Sequence, residues 1–262
     1  MAAPSAAALT RLECRCLGVV AGGREIVRQL ELSLEPGQLL AVLGRNGTGK
    51  TLTLLTLAGL RGPGSGQVLL EGRPMADWPA RQRARHIGML LQDPGETFPA
   101  TVFESVLGGR YAHLGLAGQE TEADRAAALR AMEVMQLADL ADRQVSSLSG
   151  GERQRLSIAT VIAQDTPVSI LDEPVNALDP GHQVAVMEFF RERTRQGCAV
   201  IASLHDPTLA ARYADTVLML DGAGGWSLDD SATALNEAAL SRLYRHPIRE
   251  VRDDCRRVFV AD

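Results

Sequence analysis

The segment "GRNGTGKT", from Gly44 to Thr51, constrains the fold more than any other part of the chain. It matches the pattern G-x-x-x-x-G-K-[S/T], and it lies between a short apolar run, "LLAVL", and a stretch whose leucines recur at helical spacing. A strand that passes through a glycine-rich turn into a helix can wrap backbone N–H groups around phosphate oxygens. The segment therefore predicts a buried strand, a phosphate-binding loop and a helix, in this order.

The side chains of this loop have distinct predicted roles. Lys50 supplies positive charge to the β- and γ-phosphates of a nucleotide, and the Thr51 hydroxyl is placed to ligate Mg²⁺. The glycines let the backbone turn inward and approach the phosphates closely. The predicted nucleotide contacts in the loop are Gly44, Arg45, Asn46, Gly47, Thr48, Gly49, Lys50 and Thr51.

Three further apolar runs of strand length predict the rest of an α/β core. They are "VSILDEP", "CAVIASLHD" and "DTVLML", beginning at residues 168, 198 and 215. Short apolar strands separated by helical segments indicate a parallel sheet that is covered by helices on both faces. We expect core regions over about 10–91 and 164–225, an all-helical insert over about 92–163, and a helical C-terminal appendage over about 226–262 of a single domain.

Composition and charge exclude several classes of protein. The net charge of −5 argues against a nucleic-acid-binding surface, and no apolar run reaches the roughly 18–20 residues of a membrane span. The first residues lack the pattern of a secretory signal, so we expect a cytoplasmic chain. The four cysteines lack zinc-site spacing, and Cys14 and Cys16, two apart in a predicted strand, are expected on one face.

The run "VSILDEP" ends in two adjacent carboxylates at the edge of the sheet where ligands bind in such folds. Successive strand residues point to opposite sides, so Asp172 and Glu173 are expected to act differently. We assign Asp172 to Mg²⁺, directly or through water. We assign Glu173 to the activation or positioning of the water that attacks the γ-phosphate.

A second glycine-rich helix start, "LSGGERQR", follows about a hundred residues after the first. Ser149 and Glu152 form the S-x-x-E pattern of a capping box, as do Thr101 and Glu104. Two such helix starts are either two separate phosphate sites or two halves of one.

With these motifs in this order, the chain resembles the ATP-binding subunits of ABC transporters over nearly its whole length. The motifs are the phosphate loop, "LSGGE", "LDEP", the "ALD" at 177–179 and the lone His205 near a strand end. The resemblance implies an ATP-hydrolysing enzyme that uses ATP and Mg²⁺. It also implies a RecA-like P-loop NTPase core with a mixed or parallel sheet, plus the all-helical insert.

The resemblance implies roles for three further residues. Gln92 is expected to link the core to the insert and to sense Mg²⁺ and the γ-phosphate, and His205 to contact the γ-phosphate and orient Glu173. Asp179 is expected to communicate across a subunit interface. The sequence Asp179-Pro180 also fits a helix N-cap followed by proline, and for Asp206-Pro207 we favour that structural role.

The resemblance also implies a head-to-tail homodimer with two shared sites. Ser149, Gly150, Gly151 and Glu152 of one copy would then face the ATP held by the other copy's Lys50. Separate transmembrane permease subunits would complete the transporter, and a periplasmic or surface solute-binding protein would deliver the solute. The chain would lie on the cytoplasmic side of the inner membrane as a peripheral subunit.

The segment "FPATVFESVLGGRYAHLG" is similar to one in importer ATPases that serve iron–siderophore, haem or cobalamin uptake. The open alternatives are a transporter of another solute and a soluble ABC-type ATPase in cofactor assembly. The chain departs from the family at Ala21, where an aromatic residue usually stacks on adenine. Val20 and Ala21 offer only apolar contact there.

Overall fold

The computed structural model describes residues 11–91, 99–115, 118–253 and 256–262. The strands are β1 (Leu12–Ala21), β2 (Arg24–Leu34), β3 (Leu39–Leu43), β4 (Ser65–Leu70), β5 (Arg73–Pro74), β6 (Ile87–Leu90), β7 (Val168–Leu171), β8 (Ala199–Ser203), β9 (Thr216–Leu220), β10 (Trp226–Asp230), β11 (Ile248–Asp253) and β12 (Arg256–Ala261). The helices are α1 (Lys50–Leu57), α2 (Ala80–His86), α3 (Val102–Gly108), α4 (Glu122–Val134), α5 (Gly150–Gln164), α6 (Pro180–Arg195), α7 (Pro207–Tyr213), α8 (Ser231–Ala234) and α9 (Glu237–Tyr244).

The central sheet has the strand order β10-β9-β3-β8-β7-β6, and all its neighbours are parallel except β10, which runs antiparallel to β9. Alternate residues of β3 enter different cores: Leu39, Ala41 and Leu43 pack on one side, whereas Leu40 and Val42 pack on the other. Both faces are therefore covered, which explains why β3 is apolar throughout. The predicted α/β fold with a mixed sheet is confirmed.

The carboxyl ends of β3, β7 and β8 meet at one edge of this sheet because the three strands are parallel neighbours. The glycine-rich loop follows β3, the Asp172-Glu173 pair follows β7, and His205 follows β8. The sheet topology thus brings together three segments that are far apart in the sequence.

A second sheet, β2-β1-β4-β5, is antiparallel, and its apolar face packs over α1. Gly22 and Gly23, both with positive φ, form the turn of its first hairpin. The expectation that Cys14 and Cys16 share a face is wrong, because Cys14 is buried and Cys16 is exposed. Cys16 has φ 47°, and a register shift between Cys14 and Leu17 breaks the alternation of β1.

Helices α3, α4 and α5 pack against one another beside the central sheet. Both predicted capping boxes are present, at Thr101 with Glu104 and at Ser149 with Glu152. Of the helices that the structure describes, none combines the length and apolar character that crossing a bilayer requires.

The region of about 226–262, expected to be a helical appendage, contains three strands as well as two short helices. Trp226–Asp230 forms β10, which extends the central sheet, and β11 and β12 form a separate hairpin. Of the described residues in this region, only those of the short α8 and α9 are helical. Pairing with β9 decides the conformation of β10, and cross-strand partners stabilise the hairpin, so tertiary contacts override the local helical pattern.

Candidate nucleotide site

A cavity of about 630 Å³ opens at the carboxyl edge of the central sheet. It brings together residues from the glycine-rich loop, the turn after β7, the turn after β8 and the first hairpin. Its lining consists of Ala21, Ile26, Asn46, Gly47, Gly49, Lys50, Thr51, Leu52, Glu173, Asn176 and His205. Seven of these were predicted as site residues from the sequence, and the cavity is large enough for a small-molecule ligand.

The glycine-rich loop depends on glycine where the backbone is left-handed or tightly packed. Gly49, at φ 99°, is the N-cap of α1, and a Cβ there would lie 2.5 Å from Ile26 Cδ1. A Cβ on Gly44 would lie 2.5 Å from Thr48 Oγ1 and 2.8 Å from the Leu220 carbonyl oxygen. Because a glycine N-cap has no side-chain acceptor for the first N–H groups of α1, an anion can take that place.

Lys50 is only 5% exposed although it carries an ammonium group. Its Nζ donates to the carbonyl oxygens of Gly44, at 2.8 Å, and Arg45, at 3.3 Å. Burial lowers the pKa of Lys50, and the negative charges of Glu173 and Asp172 partly oppose that change. The loop therefore holds its cation over its own carbonyl oxygens, beside the carboxylates that follow β7.

Ser203, at the end of β8, joins the two carboxylate residues. Its Oγ donates to Asp172 Oδ1 at 2.6 Å and accepts from the Glu173 backbone N–H at 2.8 Å. Asp172 is fully buried, and this bond links β8 to the end of β7. The Ser203 hydroxyl thus holds both the Asp172 carboxylate and the backbone of Glu173.

Glu173 has a backbone φ of 50°, which is uncommon for a non-glycine residue and is often found at functional sites. Its side chain is 10% exposed and borders the cavity. His205 Nε2 lies 2.7 Å from Glu173 Oε1, and Asn176 Nδ2 donates to Glu173 Oε2 at 3.0 Å. The carboxylate is held on both oxygens, and the imidazole is 43% exposed on the cavity side.

The residues present fit a magnesium ion. Asp172 Oδ2 is buried and has no hydrogen-bond partner among the described residues, and Thr51 lines the adjoining cavity. A carboxylate and a hydroxyl are suitable oxygen ligands, and Mg²⁺ at nucleotide sites takes its remaining ligands from phosphates and water. The predicted ligand Gln92 lies outside the described residues.

The second glycine-rich helix start does not line this cavity. Ser149 caps α5: the Glu152 N–H donates to Ser149 Oγ at 3.3 Å, and the Ser149 N–H donates to Glu152 Oε2 at 2.7 Å. The hydrogen bonds that the Ser149 backbone and side chain donate to the Glu152 carboxylate lower the pKa of Glu152. Ser149, Gly150, Gly151 and Glu152 are absent from the lining of the cavity in this chain.

Asp179 and Asp206 both cap helices, as the Asp-Pro pattern predicts. Asp179 accepts from the His182 backbone N–H at 3.0 Å and lies 2.7 Å from His182 Nδ1, and these bonds lower the pKa of Asp179. Its side chain is 64% exposed. Asp206 accepts from the Thr208 N–H at 2.7 Å. The cap of Asp179 leaves its exposed side open to a partner.

Sequence reasoning missed three residues that shape the site: Ser203, Asn176 and Gln154. Gln154, on α5, donates through Nε2 to the carbonyl oxygens of Glu173, at 3.4 Å, and Pro174, at 3.0 Å. Gln154 lies inside "LSGGERQR", five residues after Ser149, and Asn176 lies between "LDEP" and "ALD", three residues after Glu173. Ser203 carries no signal of its own because its role depends on the pairing of β7 with β8.

The side of the cavity next to the first hairpin is apolar. Ala21, Ile26 and Leu52 lie there, and no aromatic side chain lines the cavity among the described residues. Ala21, which stands where the family usually has an adenine-stacking aromatic ring, thus lines the cavity.

Comparisons with known proteins point to one family. The family model described as "ABC transporter" matches residues 27–176. A hemin import ATP-binding protein, HmuV, of Pseudomonas entomophila is 38% identical over 89% of this chain and 92% of that protein. The protein of the same name from Gloeobacter violaceus is 43% identical over 80% of this chain and 78% of that protein. A solved metal-chelate type ABC transporter in an inward-facing conformation aligns with a TM-score of 0.82 and 27% identity, over 97% of this chain and 98% of that one.

Proposed function

The chain belongs to the ABC transporter family, as an ATP-hydrolysing importer subunit, and on this premise we propose that it powers the uptake of haem or a similar iron chelate. The observation that carries the ATPase role is the single cavity that joins Lys50, Thr51, Glu173 and His205. The haem assignment is supported by relatives named for hemin import and by the metal-chelate transporter of similar structure.

The geometry supports a division of labour during hydrolysis. Glu173 accepts a proton from the attacking water or orients it, and His205 and Asn176 hold the carboxylate for that task. The Nζ of Lys50 exchanges its carbonyl acceptors for phosphate oxygens when ATP binds. The N–H groups at the start of α1 bind the same phosphates.

Thr51 and Asp172 would hold Mg²⁺. Gln92, which lies outside the described residues, would be the third protein ligand. When bound, the ion would neutralise part of the phosphate charge. The buried, unpartnered Asp172 Oδ2 supports this assignment. Ser203 keeps Asp172 Oδ1 occupied, so Oδ2 is the oxygen left for the ion.

The position of the second glycine-rich start supports a homodimer in which each site is shared. Ser149, Gly150 and Gly151 do not line the cavity of their own chain, yet Gln154 on the same helix contacts the backbone of Glu173. A second copy in head-to-tail orientation brings its α5 start to the nucleotide. ATP then stabilises the closed dimer, because it contacts both copies only in that state.

Separate membrane permease subunits are the other proposed partners. A groove of about 420 Å³ lies between α2 and the turn after α3, lined by Pro79, Arg81, Gln82, Arg85, Leu114 and Gly115. Tyr111, largely exposed, lies in the same turn. Tyr111, Leu114 and Gly115 belong to the segment that resembles haem, siderophore and cobalamin importers, and we propose this region as the permease contact on the cytoplasmic membrane face.

The Glu173→Gln substitution tests the catalytic assignment. We expect turnover to be lost and the full-length protein to elute as a dimer in ATP and Mg²⁺, because binding remains while hydrolysis stops. Glu188→Gln is the matched control, since Glu188 forms an exposed ion pair with Arg212 and should leave both properties unchanged. Turnover of the Glu173→Gln protein at the parental rate would remove Glu173 from the mechanism.

Growth of the host with haem as the sole iron source tests the transported solute. A strain without this gene should fail to grow on haem and grow normally on iron salts, and the parental gene, but not Glu173→Gln, should restore growth. Normal growth on haem together with failure on a siderophore or on cobalamin would refute haem while leaving the ATPase role intact. Purification of the tagged chain from host membranes without any permease would refute the transporter assembly.

A further inference from the structure

The turn that carries His205 is bonded to the C-terminal part of the chain. Tyr244, the last residue of α9, donates through Oη to the His205 carbonyl oxygen at 3.1 Å. Three residues further along the chain, at the start of α7, Thr208 Oγ1 accepts from the backbone N–H of Phe259 in β12 at 3.1 Å. Residues 205–208 are therefore held by two segments that the nucleotide cavity does not include.

The Tyr244 hydroxyl is a permanent donor. Burial, with a smaller contribution from the negative charge of Asp206, raises the pKa of Tyr244 to about 12. The hydroxyl therefore stays protonated at neutral pH. Its ring packs against the larger of the two hydrophobic cores.

Helix α9 is itself fixed in place. Leu240 is fully buried in the core, and Asn236 caps the helix by accepting from the Ala239 N–H at 2.9 Å. Ser241 ties the helix to the following hairpin, because its Oγ accepts from the Ile248 N–H at 2.9 Å. The position of the Tyr244 hydroxyl is thus determined by packing on both sides of the residue.

His205 needs an external support of this kind. Its side chain is partly exposed at the cavity, and His205 lies two residues beyond Ser203, the last residue of β8. On the strand side, Leu204 donates to the Val42 carbonyl oxygen at 3.1 Å. The Tyr244 hydroxyl acts on the carbonyl of His205 itself, on the far side of the residue from β8.

We propose that Tyr244 is a positioning residue for ATP hydrolysis, through which the C-terminal segment holds His205 in register with Glu173. This inference rests on the role proposed above for His205. The C-terminal segment of residues 231–262 then adjusts catalysis without touching the nucleotide, and displacement of α9 would slow hydrolysis by releasing the His205 turn.

The test compares two tyrosine-to-phenylalanine variants of the full-length protein. Tyr244→Phe removes only the donor, and we expect kcat for ATP to fall about fivefold or more with KM nearly unchanged, because binding is not affected. Tyr213→Phe is the matched control. Tyr213 lies at the end of α7, and its buried hydroxyl has no hydrogen-bond partner among the described residues. The kcat of Tyr213→Phe should therefore stay at the parental value. Both variants should melt within about 2 °C of the parent.

A double variant tests whether Tyr244 acts through His205 or whether its loss loosens the structure in general. In a His205→Ala background, Tyr244→Phe should cause no further loss in single-turnover hydrolysis, because the two residues act as one unit. Full turnover by Tyr244→Phe, an equal loss in Tyr213→Phe, or additive losses in the double variant would each overturn the inference. A fully active His205→Ala protein would instead refute the role of His205, and this inference with it.

Discussion

Replacing Ser203 with alanine removes the hydroxyl that joins the two carboxylate residues of the site. Two hydrogen bonds are lost, the one donated to Asp172 Oδ1 at 2.6 Å and the one accepted from the Glu173 N–H at 2.8 Å. Ser203 and Asp172 are fully buried, so water cannot easily replace the missing group. After the substitution, Asp172 has neither oxygen bonded among the described residues, because Oδ2 already lacks a partner.

The expected cost follows from these two bonds. A hydrogen bond to a charged group contributes about 1.5–3 kcal/mol, and a buried N–H left without an acceptor costs about 1–3 kcal/mol. We therefore expect Ser203→Ala to lower the free energy of unfolding by about 3–5 kcal/mol, a large fraction of the stability of a typical domain. The missing oxygen leaves almost no cavity, so the loss reports on hydrogen bonding rather than on packing.

Urea unfolding of the full-length protein, followed by the fluorescence of Trp78 and Trp226, measures this loss as a shift of the midpoint at constant slope. Ser169→Ala is the matched control. Ser169 is a buried serine of the neighbouring strand β7, and its hydroxyl has no hydrogen-bond partner among the described residues, so its removal should cost less than about 1 kcal/mol. A loss below about 1 kcal/mol in Ser203→Ala, or an equal loss in both variants, would refute the reasoning.

Three further predictions concern a cap, the base site and the C-terminal hairpin. Ser149→Ala and Thr121→Ala each remove a capping box, and each should lower the free energy of unfolding in urea by about 1 kcal/mol. Only Ser149→Ala should also abolish most ATP turnover. Equal turnover in the two variants would remove Ser149 from the shared site. Ala21→Tyr should tighten ATP binding about fivefold through stacking on adenine, in a titration where tripolyphosphate affinity stays constant; parallel changes for both ligands would contradict a base site at this hairpin. Hydrogen bonds from Arg257 lower the pKa of Glu250 from 4.5 to about 2. The stability gained from this carboxylate is therefore complete above pH 4.5 and is lost as the pH falls towards 2. Glu250→Gln should flatten the pH dependence of the free energy of unfolding between these two values, and an unchanged slope would show that other groups dominate it.

The amino-acid sequence by itself determined the central sheet and the chemistry of its edge. The four apolar runs that predict strands correspond to β3, β7, β8 and β9, because a strand buried on both faces is largely apolar. Glycine, lysine and threonine at fixed spacing after the first run, and the acidic pair after the second, are local patterns. They can be recognised without knowing which strands are neighbours.

The capping residues were also readable from the sequence. Ser149, Asp179 and Asp206 accept hydrogen bonds from N–H groups two or three residues further along the chain. Such bonds depend on local geometry alone. The same local reasoning failed at Cys16, because a bulge in β1 arises from its pairing with β2 and β4.

Only the tertiary structure decided which distant residues act together. Ser203 joins the two carboxylates because β7 and β8 are parallel neighbours, and Tyr244 reaches the His205 carbonyl because the fold places the end of α9 beside the turn after β8. The strand character of Trp226–Asp230 likewise depends on the free edge of β9. These hydrogen bonds and pairings join residues that local periodicity does not relate, since their free energy arises only when the fold places the partners side by side.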